Sequence, residues 1–279
     1  MLTLLTDHEV IAGHRVATGI HGDGPPVVLG HGTPSHSMIW RNIVPALTAA
    51  GYRVHLYDLL GYGASERPLA ADTSVAGQEA LFLALLERWG LDSVHYVAHD
   101  LSTAIGQRVA VHAPARLRSL TLIDAIAYDS WPSPTWRRII ADHFDSYRGM
   151  DGDAFAGMMT RQLRMTVYDQ SNMAGDVLAA YLAPLVGPLQ QVSYFEHQMR
   201  HYDSRYTEAI VGQLGAIAIP VRILWGAEDE WQPLHYAHRL AADIPGARLT
   251  TIPETGHFAM EDAPQTIARH LLDFLAETG

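Results

Sequence analysis

One acidic residue stands where a predicted strand meets a predicted helix. From Ser93 an apolar run rich in β-forming side chains ends abruptly in small and polar residues, and helical spacing begins just after Asp100. Such a junction can lift one side chain above the carboxyl edge of a parallel sheet, next to free N–H groups at the helix start. The turn is cramped, and small residues, Ala98 and Ser102, stand two positions away on either side. The spacing therefore predicts that Asp100 is a nucleophile held in a sharp turn.

Two other interpretations of this junction compete with the first. Asp is a favoured N-cap residue, so Asp100 could serve only to begin the helix. Ser102 is a rival nucleophile, because the same turn could be placed two residues later in the chain. That shift would extend the strand across two polar residues, His99 and Asp100. The ordered motifs elsewhere in the chain favour Asp100 as the nucleophile over both alternatives.

These motifs lie before and after the junction. They are His31-Gly32-Thr33-Pro34, the loop DLLGYGAS from Asp58 to Ser65, and Gly256-His257. Together with His99 and Asp100, they resemble the α/β-hydrolases, specifically the aspartate-nucleophile branch that contains epoxide hydrolases and haloalkane dehalogenases. The resemblance covers nearly the whole chain and weakens between about residues 128 and 215. It implies an α/β fold: a mostly parallel eight-stranded sheet with helices on both faces and an inserted helical cap.

The resemblance also implies a set of catalytic roles. His257 would activate water, and Asp229 would orient His257 and stabilise its charged form. Some dehalogenases instead take this acid from the strand after the nucleophile, where Asp124 stands, so Asp124 remains the alternative triad acid. The backbone N–H groups of Thr33 and Leu101 would form the oxyanion hole. No cofactor or metal is expected, because an ionised carboxylate attacks carbon without help.

The leaving group separates the two enzyme types of this branch. Dehalogenases commonly have a Trp where Leu101 stands, and many have an Asn or Glu where Thr33 stands, so the usual halide donors are missing here. An epoxide oxygen instead needs a proton, and Tyr194 best fits the family position of the cap tyrosine that supplies it. We therefore expect an epoxide hydrolase that forms an ester on Asp100 and releases a vicinal diol. Haloalkane dehalogenase is the alternative.

The cap is expected to select the substrate, a small apolar molecule that reacts with water. Strand patterns vanish between about residues 128 and 215, which predicts a cap at 128–215 and a core made of 1–127 and 216–279. Candidates for contact with the substrate or leaving group are Tyr194, Trp131, Trp136 and His31. Further cap aromatics that could line the pocket are Tyr168, Tyr181, Tyr202 and Tyr206.

Outside the cap, strand and helix patterns alternate as in a parallel sheet. The predicted strands are 2–6, 9–18, 27–29, 54–57, 93–99, 117–123, 221–225 and 248–252. The predicted helices are 37–50, 75–89, 103–112 and 264–275. The catalytic side chains should then meet at the carboxyl ends of the strands.

Composition excludes several other classes of protein. The net charge of -11, without any basic run, argues against a nucleic-acid or anionic-membrane partner, and the absence of Cys excludes thiol chemistry. No signal peptide or membrane span is indicated, so we expect a cytoplasmic protein. His197 and His201 are spaced for one helix face, but no third metal ligand follows the pattern. The sequence does not indicate the oligomeric state. A serine esterase, a non-hydrolytic enzyme or a ligand receptor of the same fold remain further alternatives.

Overall fold

Eight strands form one sheet in the computed structural model, which describes residues 4–279. The strands are β1 (Asp7–Ile11), β2 (His14–His21), β3 (Pro26–Gly30), β4 (Arg53–Tyr57), β5 (Val94–His99), β6 (Leu117–Ile123), β7 (Val221–Gly226) and β8 (Arg248–Ile252). Their spatial order is β1-β2-β4-β3-β5-β6-β7-β8. Only the β1–β2 and β2–β4 pairs are antiparallel among these described strands. The predicted mostly parallel eight-stranded α/β sheet is therefore confirmed.

Twelve α-helices connect the strands within residues 4–279. They are α1 (Val44–Ala49), α2 (Val75–Arg88), α3 (Leu101–His112), α4 (Pro134–Arg138), α5 (Phe144–Arg148), α6 (Gly152–Arg164), α7 (Gly175–Leu182), α8 (Pro188–Ser193), α9 (Arg205–Glu208), α10 (His235–Asp243), α11 (Ala259–Asp262) and α12 (Pro264–Thr278). Short 3-10 turns lie at Ser37–Trp40, Pro114–Arg116, Gln170–Met173, Met199–His201 and Val211–Ala216, and π turns at Ile139–His143 and Tyr194–Gln198. None of these helices combines the length and apolar character needed to cross a bilayer.

Three predicted elements differ from the structure. The strand expected over 9–18 is interrupted by a turn at Ala12 and Gly13 and covers parts of β1 and β2. The expected strand 2–6 falls partly on residues 1–3, outside the described chain, and residues 4–6 are not in a strand because the first strand begins at Asp7. The single helix expected over 37–50 is split into the 3-10 turn Ser37–Trp40 and α1. Pro45 lies in the first turn of α1, and its missing N–H group cannot continue a helix from the preceding turn.

The centre of the sheet is where polar side chains can be held most rigidly. β5 is buried along its whole length, with β3 on one side and β6 on the other, and all three run parallel. From β3 the chain crosses to β4 on one side and later returns to β5 on the other side. Loops at the carboxyl ends of β3 and β5 therefore diverge and leave a crevice between them. This crevice is the position expected for a site built around Asp100.

The chain between β6 and β7 forms a separate helical layer. Helices α4–α9 and the short turns between them occupy it, and the described residues contain no strand between Ile123 and Val221. Part of this layer is apolar inside, with Phe155, Phe195 and Met199 fully buried. It lies over the carboxyl edge of the sheet, because Phe258, which follows β8, donates its backbone N–H to Thr166 of the layer.

Candidate active site

Asp100 occupies a strained turn between β5 and α3. Its backbone torsions are φ 48° and ψ -115°, a region that residues with a side chain rarely adopt. Its carboxylate does not cap the helix, which removes the N-cap interpretation of this residue. Gly32 makes room for it, since a Cβ at that position would lie 2.3 Å from Asp100 Oδ1. The turn holds the carboxylate above the sheet, as the spacing of the sequence predicts.

The two oxygens of the Asp100 carboxylate have different partners. The backbone N–H of Thr33 donates to Oδ1 at 2.7 Å, while Oδ2 lies 3.4 Å from Nε2 of His257. Burial alone would raise the pKa of Asp100, but His257 and the Thr33 N–H outweigh it and lower that pKa. Asp100 is therefore ionised, with one oxygen already in the predicted oxyanion hole. Leu101, the other predicted member, begins α3, where backbone N–H groups have no acceptor within the helix.

Ser102 points away from this crevice. Its hydroxyl donates to the backbone oxygen of His31 at 2.5 Å, and the side chain is fully buried. A Cβ placed on Gly30 of β3 would lie 2.7 Å from Ser102 Oγ, so the hydroxyl faces the sheet. Ser102 thus braces α3 against β3 and is not placed for attack on a substrate.

His257 lies between two carboxylates. Its Nδ1 is 2.8 Å from Asp229 Oδ2, and its other ring nitrogen faces Asp100. Asp229 is fixed in turn, because Oδ1 accepts backbone N–H groups from Trp231 at 2.7 Å and Gln232 at 2.9 Å. Burial would lower the pKa of His257, but Asp229 and Asp100 raise it well above its ordinary value. Before any reaction, the ring is therefore an imidazolium that donates from Nδ1 to Asp229.

Asp124, the alternative triad acid, lies one strand away and does not contact His257. Its Oδ1 accepts the backbone N–H of Gly226 at 2.7 Å, and its Oδ2 has no hydrogen-bond partner among the described residues. Burial and the neighbouring Asp229 raise the pKa of Asp124 well above its usual range. The structure thus brings Asp229 to the histidine and leaves Asp124 as a buried, protonated carboxyl.

Two phenols, those of Tyr62 and Tyr202, lie near Asp100, and a third, that of Tyr194, lies next to Tyr202. The hydroxyl of Tyr202 lies 2.5 Å from Thr33 Oγ1, and the ring of Trp131 lies 4.3 Å from the Tyr202 ring. Burial raises the pKa of Tyr62, Tyr194 and Tyr202, and each of these phenols is close enough to another to perturb its pKa further. Tyr62 also packs edge-on against His31. Together, Tyr62, Tyr194 and Tyr202 form a wall of phenols near the predicted nucleophile, Asp100.

The other predicted contact residues have different surroundings. Both ring nitrogens of His31 bond to backbone, Nδ1 to Gly32 O at 2.8 Å and Nε2 to Leu59 N at 2.9 Å, so no N–H remains for a leaving group. Trp136 is half-buried on α4 and Tyr168 is 52% exposed. Tyr181 bonds to Glu261 and Tyr206 stacks with Arg205, so neither hydroxyl lies in the wall.

Two residues near Asp100 and His257, Tyr62 and Trp231, are not predicted as site residues from the sequence. Tyr62 belongs to the DLLGYGAS loop, and Trp231 stacks on the His257 ring with 5.2 Å between centroids. The loop follows β4 at the carboxyl edge of the sheet, and this position alone marks Tyr62 as a candidate. Trp231 lies two residues after Asp229 in the same loop, and this position likewise marks it as a candidate.

Comparison with known proteins agrees with this arrangement at the level of the fold. A family model described as the alpha/beta hydrolase fold matches residues 25–264. The chain belongs to the α/β-hydrolase family. A solved α/β-hydrolase fold protein from Burkholderia ambifaria is 36% identical to it, covers 98% of this chain and 99% of its own, and superposes with a TM-score of 0.91.

Curated relatives of this α/β-hydrolase carry other substrate names. A 2-hydroxy-6-oxononadienedioate/2-hydroxy-6-oxononatrienedioate hydrolase from Cupriavidus pinatubonensis is 25% identical over 95% of this chain and 88% of its own. The putative carbamate hydrolase RutD of Pseudomonas savastanoi is 28% identical over 94% of this chain and 98% of its own. The structure of an epoxide hydrolase, CorEH, is 23% identical, covers 98% of this chain and 99% of its own, and has a TM-score of 0.77. The haloalkane dehalogenase DbeA from Bradyrhizobium elkani is 24% identical, covers 98% of this chain and 97% of its own, and has a TM-score of 0.83. At this identity the two structures share the fold alone.

Proposed function

We propose that this α/β-hydrolase uses Asp100 as a nucleophile and opens epoxides to vicinal diols. The observation that carries the proposal is that the two Asp100 oxygens have different partners. Oδ1 already accepts the Thr33 N–H, whereas Oδ2 faces His257. A serine nucleophile would need a neutral base to remove its proton, but an ionised carboxylate can attack while His257 is protonated.

In the first step, Asp100 Oδ2 attacks an epoxide carbon and forms an ester. The carbon–oxygen bond of the ring breaks, and its electron pair stays on the epoxide oxygen, which takes a proton from a phenol of the wall. Tyr202 is the best-placed donor, because its hydroxyl already bonds to Thr33 next to the nucleophile. Tyr194, the residue favoured by the sequence, lies behind it and packs on Phe155, with 5.7 Å between ring centroids.

In the second step, His257 takes a proton from water, which attacks Cγ of the ester. The resulting oxyanion forms on Oδ1, where the Thr33 N–H already points. The intermediate then collapses: the Cγ–Oδ2 bond breaks, Oδ2 leaves as a hydroxyl of the diol with the proton from His257, and the water oxygen stays in the Asp100 carboxyl. Ester formation removes the negative charge of Asp100, one of the two charges that raise the pKa of His257. That pKa therefore falls once the ester exists. The His257 ring gives up its proton and the phenolate left by the first step takes one up, so the phenol is restored and the neutral ring can act as a base. Asp229 keeps the Nδ1–H in place throughout.

Haloalkane dehalogenation is the second candidate. This reaction would use the same nucleophile and the same two steps as epoxide hydrolysis. The Trp131 indole, which packs on Tyr202, is the indole at the wall. A halide needs N–H donors and no proton, while the wall near Asp100 offers the phenol hydroxyls of Tyr62 and Tyr202. The hydroxyl-rich wall favours the epoxide. The substrates named for the curated relatives form a third group to be screened.

The test is a single turnover in heavy-oxygen water with a panel of epoxides, haloalkanes, esters and the relatives' substrate classes. We expect label in the Asp100 carboxyl after one turnover of an epoxide, and diol as product. Asp100→Ala should be inactive, whereas Ser102→Ala, altered only at a side chain that bonds to the sheet, should keep the reaction. Label absent from Asp100 would overturn the nucleophile. Halide release without any diol would move the proposal to the second candidate.

A further inference from the structure

The loop that carries His257 is held from above by the helical layer between β6 and β7. The amide of Phe258 donates to Thr166 O at 2.7 Å, and the Thr166 side chain is fully buried. Gly256 packs so closely on this layer that a Cβ there would lie 2.8 Å from Thr166 O and 3.0 Å from Tyr168 N. The residues on both sides of His257 therefore contact the layer directly.

One carboxylate joins the two segments. Oδ2 of Asp262 accepts N–H groups from Gly256 at 2.9 Å and from Tyr168 at 2.7 Å. Its Oδ1 accepts the Asn172 side-chain amide at 2.8 Å and the Asp169 amide at 3.3 Å. The same side chain thus bonds to the His257 loop and to the 166–172 segment of the layer.

From below, the loop is tied to the nucleophile turn. The backbone oxygen of His257 accepts a hydrogen bond from Nε2 of His99 at 2.9 Å, and His99 immediately precedes Asp100. Burial lowers the pKa of His99 to about 3, so its ring stays neutral and donates from this one nitrogen. With the lower attachment fixed, the upper attachment decides whether His257 can shift relative to Asp229 and the ester.

We propose that Asp262 is a positioning residue that couples the 166–172 segment of the cap layer to the catalytic base. The inference rests on the proposed function, because it assigns to the cap control over the step that His257 catalyses. Nucleophilic attack by Asp100 does not need His257 as a base, so loss of the coupling slows ester hydrolysis selectively. The cap then does more than cover the substrate: its position sets the rate of the second step.

The test separates the two steps in three variants of the full chain. Asp262→Ala removes all four hydrogen bonds, and we expect ester hydrolysis to fall about 10- to 100-fold while alkylation of Asp100 keeps most of its rate. Asp262→Asn keeps an oxygen for Gly256 and Tyr168, and the Asn172 amide can turn to meet its NH₂ group. This variant should recover most of the hydrolysis rate. Asp169→Ala removes a carboxylate of the same cap turn that bonds only to Ser171 within it, and should match the wild type.

Two other rate outcomes would contradict the proposal. Hydrolysis at the wild-type rate in Asp262→Ala overturns the proposal, and equal loss in Asp262→Asn assigns the effect to charge and also overturns it. Amide exchange at Gly256 and Phe258 provides a measurement without substrate. It should be faster in Asp262→Ala than in the wild type and in Asp169→Ala, and unchanged exchange rejects the coupling. If no substrate alkylates the wild type, the proposed function fails while amide exchange still tests Asp262.

Discussion

At the residue scale, the two carboxylate oxygens of Asp100 have different partners in the absence of substrate: Oδ1 accepts the Thr33 N–H and Oδ2 faces His257. Thr33 and Gly32 come from the loop after β3, and together they bond to and make room for the carboxylate. The strained backbone of Asp100 is held in place by its surroundings, as active-site strain generally is. Under the proposed mechanism, Oδ1 already accepts the Thr33 N–H and needs no reorganisation when the tetrahedral intermediate forms.

The two acids near His257 make different contacts, and the rate of ester hydrolysis can distinguish their roles. Asp229→Asn removes the carboxylate that bonds to Nδ1, and we expect ester hydrolysis to fall by up to about 10⁴-fold. Asp124→Asn replaces a carboxyl that burial keeps protonated and preserves the oxygen that accepts from Gly226. It should change the rate little near neutral pH. The measurement is single-turnover decay of the ester, and the opposite order would move the triad acid to β6.

The phenol that protonates the epoxide oxygen can be identified by pairing two substitutions. Tyr202→Phe removes the hydroxyl that bonds to Thr33, and we expect epoxide opening to slow by about 10²- to 10⁴-fold. Tyr194→Phe should have a smaller effect. A haloalkane that alkylates the protein is the control, since halide departure needs no proton. A greater loss in Tyr194→Phe would restore the donor favoured by the sequence.

At the scale of elements, the Tyr181 hydroxyl joins the helical layer between β6 and β7 to an ion pair, Arg41–Glu261, whose two residues lie outside that layer. Arg41 donates twice to Glu261, at 2.5 and 2.6 Å, and Tyr181 of α7 donates to the same carboxylate at 2.5 Å. The Tyr181 ring also packs against Phe258, with 5.4 Å between centroids. Tyr181 of the helical layer therefore contacts both the Arg41–Glu261 ion pair, by a hydrogen bond, and the His257 loop, by ring packing.

The Tyr181–Glu261 hydrogen bond predicts a measurable contribution to stability. Tyr181→Phe keeps the ring but removes a bond to a charged acceptor, so the free energy of unfolding should drop by about 1.5–3 kcal/mol. The matched variant is Tyr168→Phe, whose side chain is 52% exposed and should change stability by less than about 0.5 kcal/mol. Urea unfolding measures both, and equal effects would show that the Glu261 bond contributes nothing.

How far the sequence predicts these elements depends on how local the signal is. The alternation of strand and helix patterns predicts the sheet. The predicted ends of α2 and β6 lie within one residue of the observed ends, because Gly90 and turn residues mark them. The cap contacts were not predictable in this way. Tyr202 reaches Thr33 across 169 positions of sequence, and no periodic pattern records such a distance. The same holds for the bonds between Asp262 and residues 168–172.

At the scale of the whole molecule, the interior contains several neutral histidines. His55 and His95 lie in the sheet with pKa values lowered to about 4, by burial and by nearby Arg53 and Arg118 respectively. His55 has no hydrogen-bond partner for either ring nitrogen among residues 4–279, and its ring lies 4.8 Å from that of Trp89. Burying an imidazole in this way favours its neutral form, so acid should act on the fold as well as on the active site.

The pH dependence of unfolding tests this property. The unfolded chain protonates His55 near its ordinary pKa of about 6.5, whereas the folded chain does so only near 4. Between these values the unfolded state binds more protons, so the free energy of unfolding decreases as the pH falls from about 6.5 to about 4. His55→Phe removes this proton uptake and should lose less stability across that window than the wild type. His238→Gln, which removes an exposed ring, is the control. Urea unfolding at several pH values would contradict the argument if the His55→Phe curve ran parallel to the wild-type curve.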